Sequence, residues 1–351
     1  MHFKRTLFRG FRNIEPQGIN WSPGLNLIVG SNGSGKTNLI EGLNLIAGWG
    51  PLEKGTRISS LIQWEKTAEG SLLAAEVAGE DTGEISAKIS TRSVLRWDGK
   101  PIGASEMRYK LPVLTFLPGH LSLIRGSASY RRALLDVLGA LISPSYARRL
   151  HDYRHILKQR VALLRRGCSP VSTDGLLRGV GAWIWKVREI LTCQLSKGLD
   201  EFSGLLPCPV HLSFIRGGGG LAPLPEEDFR LSMARCGEKE RIVKVPQVGP
   251  HRDDIRIECL GRPASDVLSR GHRRRTAVAM MLVSCRLVEK NLGKLPVLLL
   301  DEVTAELDKE GRDLLLSALS EGGRQVFAAT TEIEKRPSAA VYRVQSGGIL
   351  F

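Results

Sequence analysis

The chain has 351 residues, 42% hydrophobic and 25% charged, which is enough apolar surface for one large or two moderate globular domains. Apolar runs such as residues 297–300 are too short to cross a bilayer, and the charged first thirteen residues lack the apolar centre of a signal peptide, so the reading is a cytoplasmic protein with no membrane partner. Fifty Lys and Arg against 36 Asp and Glu leave a net charge of +14, which favours a polyanionic partner, DNA or RNA.

Residues 1–30 read as a sheet edge that leads into a loop. Arg9 and Arg12 lie in its turn, placed either to reach a nucleotide or to line the surface. Residues 25–46 then read LNLIVGSNGSGKTNLIEGLNLI: an apolar strand, a glycine-rich turn and a helical apolar pattern at Leu39, Ile40, Leu43 and Ile46. Gly30, Ser31, Asn32, Gly33, Ser34, Gly35, Lys36 and Thr37 fit the spacing G-x-x-x-x-G-K-[ST] of an ATP-binding phosphate loop. Gly30 and Gly35 are expected at positive φ and close to an anion, while Gly33 and Ser34 keep the loop slim so that its N–H groups point inward. Lys36 supplies charge to the β and γ phosphates, Thr37 offers a hydroxyl to Mg²⁺, and the helix that starts there adds its N-terminal dipole.

Residues 71–100 alternate in short β-like runs that end in the turn at 97–101, which predicts an antiparallel sheet beside the loop. Residues 112–116 read as a buried strand, closed by Pro118-Gly119. From His120 to about Glu201 the pattern becomes helical, over 130–141, 146–166 and 176–199. The arginines and lysine of the first two helices (Arg131, Arg132, Arg148, Arg149, Arg154, Lys158, Arg160, Arg165 and Arg166) form either a solvated face or a DNA contact. The four glycines at 217–220 predict a mobile loop, followed by a short helix over 226–236 and, after the turn at 249–254, a strand over 254–259. Six cysteines show no zinc spacing and no disulfide framework, and read as reduced, mostly buried thiols.

Residues 294–308 read KLPVLLLDEVTAELD, an apolar strand that ends in two carboxylates. A strand parallel to that of the phosphate loop delivers Asp301 to Mg²⁺ at its C-terminal end, and Glu302 follows as general base toward the attacking water. Upstream, Ser269 and Gly271 open a helix and form a second anion site. The strand and helix between the two sites keep them from meeting at one γ-phosphate, so the reading is a homodimer around ATP.

The loop at 30–37, the L-S-x-G at 268–271, the strand ending Asp301-Glu302 and the Ala305-Glu306-Leu307-Asp308 that follows resemble the ABC-type ATPase heads of the SMC family. Phe11-Arg12-Asn13, the turn at 98–101, residues 123–126 with 131–136, residues 157–160 and above all Gly249-Pro250-His251-Arg252-Asp253-Asp254 narrow the resemblance to the RecF family. The chain departs from that family's pattern at Pro118-Gly119-His120 and at His272. The resemblance implies an α/β fold: an ABC-type ATPase head with a mixed sheet around the phosphate loop and a helical lobe inserted between that loop and the signature. Residues 1–119 and 246–351 form the ATP-binding lobe and 120–245 the helical lobe. It also implies a weak, DNA-stimulated ATPase of recombinational repair, catalytic residues Glu302 and Lys36, metal ligands Thr37 and Asp301, and a signature Ser269 and Gly271 acting in trans. Asp308 lies at the dimer interface, the DNA partners are single-stranded and gapped or junction duplex, and RecO and RecR join in loading recombinase. The alternative is the ATP-hydrolysing subunit of an ABC transporter. A long-armed chromosome-structuring protein needs far more heptad sequence than the insertion holds.

Overall fold

A computed structural model describes residues 1–53, 55–63, 69–117, 122–302, 304, 307–331 and 339–350. Strand β1 (His2–Arg9) buries Phe3, Thr6 and Phe8, a spacing that simple alternation does not give. The register shifts between Phe3 and Arg5, so a bulge turns all three inward. The elements that follow are β2 (Gly18–Asn20), β3 (Leu25–Val29), α1 (Lys36–Ile46), β4 (Ser71–Ala78), β5 (Gly83–Ile89), β6 (Ser93–Trp97), β7 (Lys100–Pro101), α2 (Ala104–Lys110) and β8 (Val113–Phe116). Next come α3 (Ser122–Arg125), α4 (Ala128–Ile142), α5 (Pro144–Arg165), α6 (Asp174–Gly198), β9 (Val210–Ile215), α7 (Pro225–Val243), β10 (Asp254–Cys259), β11 (Arg262–Pro263) and α8 (Ala264–Val267). Helix α9 (Arg270–Leu292), β12 (Val297–Leu300), α10 (Lys309–Ser320), β13 (Val326–Thr330), β14 (Ala339–Gln345) and β15 (Gly348–Leu350) complete the chain.

Residues 1–120 with 274–351 form one unit and residues 121–273 a second. The first holds two sheets. One is antiparallel, in the order β2-β1-β4-β5-β6-β7, so β1 is an interior strand and not the expected edge. Its β6–β7 turn places Asp98 and Gly99 at φ 46° and 75°, the left-handed pair that a tight hairpin needs. The other sheet runs β15-β14-β3-β13-β12-β8, with every pair parallel except β14 and β15. Helix α1 buries Leu39, Ile40, Leu43 and Ile46 in one core with Phe8, Leu73 and Ile85 of the first sheet and Ile28, Leu299 and Phe327 of the second. At about 1.5–3 kcal/mol for each large side chain, that face anchors the helix whose N-terminus carries Lys36.

In the second unit, α5 and α6 pack together, α6 also meets α7 and β9, and a three-stranded sheet runs β11-β10-β9. Residues 246–273 therefore belong with the helices and not with the ATP-binding lobe, because β10 finds its partner in β9. Beneath an aromatic core of Tyr146, Tyr153, Trp185 and Phe229 lies Arg188, bonded to Asp136 (2.7 Å), Asp253 (2.7 Å) and the carbonyl of Pro250 (2.7 Å). Asp253 is fully buried and also accepts from Trp185 Nε1 and Gly217 N, so the 249–254 block is tied to α6.

Three expectations change here. The glycine stretch is fastened: Gly217 N and Gly220 N donate to Asp253 and Asp228, and a side chain at Gly218 would strike the carbonyl of Gln247. Helix α7 extends to Val243, beyond the short segment expected. Cys208 and Cys259 form a disulfide across 51 residues, with Cα atoms 6.5 Å apart, while Cys168 and Cys193 are exposed thiols. The pairing of β9 with β10 brings the two bonded sulfurs together, and no local spacing announces it. The proposed strand end at Pro118-Gly119 and the departure at His120 fall outside the described residues.

Candidate nucleotide-binding site

Strand β3 delivers the phosphate loop, and α1 begins at Lys36 with Gly35 as its cap at φ 118°. Gly33 also takes positive φ, at 78°. Gly30 does not. Its constraint is space, since a side chain there would strike the carbonyl of Val344 and the Ser34 hydroxyl. Lys36 is 5% exposed, and its Nζ donates to the carbonyls of Gly30 (2.8 Å) and Ser31 (2.9 Å). Burial lowers its pKa, with Asp301 and Glu302 pulling the other way. The loop thus presents an ammonium held by weak carbonyl acceptors, ready to take phosphate oxygens as stronger ones.

Strand β12 runs parallel to β3 with β13 between them, and its end brings Asp301 to the loop. Thr37 Oγ1 donates to Asp301 Oδ2 at 2.8 Å. Asp301 is 3% exposed, and its Oδ1 has no hydrogen-bond partner among the described residues. Burial raises its pKa, against the Thr37 bond that lowers it. A buried carboxylate oxygen left open beside a threonine hydroxyl suits a hard cation with oxygen ligands. Thr37 and Asp301 fit Mg²⁺ in the way phosphate-loop sites hold it, by few protein ligands completed by phosphate and water. No cluster of three His, Cys, Asp or Glu that could hold a metal unaided occurs among the described residues.

Glu302 follows at φ 49°, and its carbonyl accepts from Arg274 Nη1 at 2.7 Å. Ser269 Oγ accepts from His272 N at 3.2 Å, which makes it the cap of α9, with Gly271 in the first turn. Ser269 and Gly271 fall in the second unit, whereas the phosphate loop and Asp301 fall in the first. Asp308 caps α10 through Gly311 N at 2.8 Å.

Two supports escaped the sequence reading. The β14–β15 turn, with Ser346 and Gly347 at φ 49° and 87°, donates from Gly347 N to the Ser34 carbonyl at 2.8 Å and so braces the phosphate loop. Arg12 pairs with the buried Glu41 of α1 at 2.9 Å, which makes it a brace behind the loop. Both contacts join residues far apart in sequence, so only the positive-φ pair Ser346-Gly347 left a local trace.

The sequence model of the RecF/RecN/SMC N-terminal domain matches residues 2–344. The chain belongs to that family. A DNA replication and repair protein RecF from Symbiobacterium thermophilum is 31% identical, over 95% of this chain and 92% of the relative. The RecF of Heliobacterium modesticaldum is 29% identical, over 97% and 95%. A solved structure of RecF-ATP, a recombination mediator protein in the RecFOR pathway, superposes with a TM-score of 0.85 at 24% identity, covering 99% of this chain and 96% of that one. At that identity the likeness speaks for the fold, and it bears out the ABC-type ATPase head with its mixed sheet. Membership of the RecF/RecN/SMC family displaces the transporter-subunit reading.

Proposed function

We propose that this RecF-family chain is an ATP-dependent DNA-binding protein of recombinational repair and replication-fork maintenance. It takes single-stranded, gapped or junction DNA, dimerises on ATP, separates on slow, DNA-stimulated hydrolysis, and acts with RecO and RecR in loading recombinase in the cytoplasm. The observation that carries the ATP-dependent part is the contact between Thr37 and the buried Asp301, which joins the two halves of a phosphate-loop site. The printed names of the relatives support the repair role.

In this reading, Gly30 to Thr37 cradle the triphosphate, and Lys36 exchanges two carbonyl acceptors for the β and γ phosphates. Thr37 and Asp301 hold Mg²⁺, which when bound neutralises charge on the phosphate oxygens. Glu302 takes a proton from the attacking water. Ser269 and the N-terminus of α9 serve the nucleotide of a partner copy, with Asp308 at the interface, so ATP joins two chains and loss of the γ-phosphate releases them. A hard test is sedimentation with and without ATP, in the presence and absence of a gapped duplex. The expected result is a dimer only with ATP, a dimer that persists in Glu302→Gln, and a monomer in Ser269→Arg that still binds ATP. Normal dimers and turnover in Ser269→Arg would reduce Ser269 to an ordinary helix cap and end the in-trans reading.

A further inference from the structure

Glu302 occupies the left-handed region, φ 49°, where a residue with a side chain persists only if its surroundings hold it there. The contact at its carbonyl is a charge-assisted one, from Arg274 Nη1 at 2.7 Å. Arg274 is 4% exposed, a burial that arginine tolerates only with firm partners. Its own placement is fixed by α9, which buries Ala277, Val278 and Met281 in the next turns. Arg274 also lies five residues after Ser269, whose hydroxyl and carbonyl accept from His272 N and Arg273 N. Arg274 thus follows Ser269 by about a turn and a half along the chain of α9.

We propose that Arg274 is a positioning residue that holds the Glu302 peptide in its left-handed conformation and so aims the base. The inference rests on the role proposed above for Glu302.

The test uses the full chain and compares wild type, Arg274→Met, Arg274→Lys, Glu302→Gln and the double variant Arg274→Met/Glu302→Gln. Arg274→Met should bind ATP within about threefold of wild type and still form ATP-induced dimers, while kcat falls roughly a hundredfold, the low end of what a misplaced general base costs. Arg274→Lys, which keeps a donor and the charge, should recover part of kcat. Adding Arg274→Met to Glu302→Gln should cost nothing further, because the base it positions is already gone.

Wild-type kcat in Arg274→Met overturns the proposal, as does a full further loss in the double variant. A parallel loss of ATP binding and melting temperature in both the Met and Lys variants marks Arg274 as structural only. Normal hydrolysis by Glu302→Gln defeats the base assignment itself, whatever Arg274 does.

Discussion

At the scale of single residues, the site combines a buried cation and a buried anion that are both incompletely served. Lys36 holds only carbonyls, and its amine carries the attraction for the phosphates. Lys36→Ala should therefore weaken ATP binding at least a hundredfold in a direct titration, the scale expected when a charged hydrogen-bond partner is lost from a preformed site. Asp301 is the complementary case. Its pKa is raised above 3.8 chiefly by burial, so the folded chain holds that proton more tightly than the unfolded chain does. Without nucleotide, Asp301 then lowers stability as pH rises through the raised value. Asp301→Asn keeps an acceptor for Thr37 and removes the buried charge. Its melting temperature without ligand should rise by about 2–4 °C while Mg²⁺-dependent turnover disappears, a trade of stability against function. A melting temperature that falls would show that the carboxylate stabilises the resting fold.

At the scale of elements, the 249–254 block acts as a knot in the second unit. Tyr153 Oη meets His251 Nδ1 at 2.6 Å and His251 Nε2 meets the Pro246 carbonyl at 3.2 Å, so the neutral ring accepts from the tyrosine and donates to the backbone. Burial pushes the His251 pKa from 6.5 down to about 4. The unfolded chain then binds a proton that the folded chain refuses, so this contribution is intact above pH 6.5 and is lost as pH falls toward 4. Melting curves across that window should show His251→Gln losing less stability on acidification than wild type does. Equal slopes would place the acid sensitivity elsewhere. The same unit corrects the arginine run of α4 and α5. Arg131 pairs with Asp254 at 2.6 Å, Arg160 with the buried Glu240 at 2.6 Å, and Arg149 lies over the Trp183 ring at 4.6 Å. Arg148, Lys158, Arg165 and Arg166 are exposed and suited to a phosphate backbone, and Arg154 is exposed too, although it pairs with Asp136 at 3.0 Å.

At the scale of the whole molecule, the net charge of +14 predicts that DNA is held through phosphate contacts and the counterions they release. If roughly six phosphates are neutralised, affinity for a gapped duplex should fall about a thousandfold between 50 and 200 mM salt. Replacing Lys158, Arg165 and Arg166 together by Gln should flatten that slope without altering ATP binding. An affinity indifferent to salt would remove charge as the basis of DNA contact.

The nucleotide half of this protein was legible because its chemistry is local. A glycine loop, a lysine and a threonine must follow one another to wrap a phosphate, and the acid must end an apolar strand, so residues 25–46 and 297–302 announced themselves. Helices α4, α5 and α6 were readable for the same reason, since their apolar spacing is written within each segment. What the tertiary structure decided is everything that joins distant segments. The pairing of β9 with β10 moved residues 246–273 out of the ATP-binding lobe and closed the Cys208–Cys259 bond. The bulge in β1, the internal partners of Arg131 and Arg160, the Gly347 brace and the grip of Arg274 on Glu302 depend on which side chains meet in space. Hydrophobic period and turn chemistry act over a few residues, whereas the choice of partner for a buried charge or an open strand edge is settled only when the whole chain has packed.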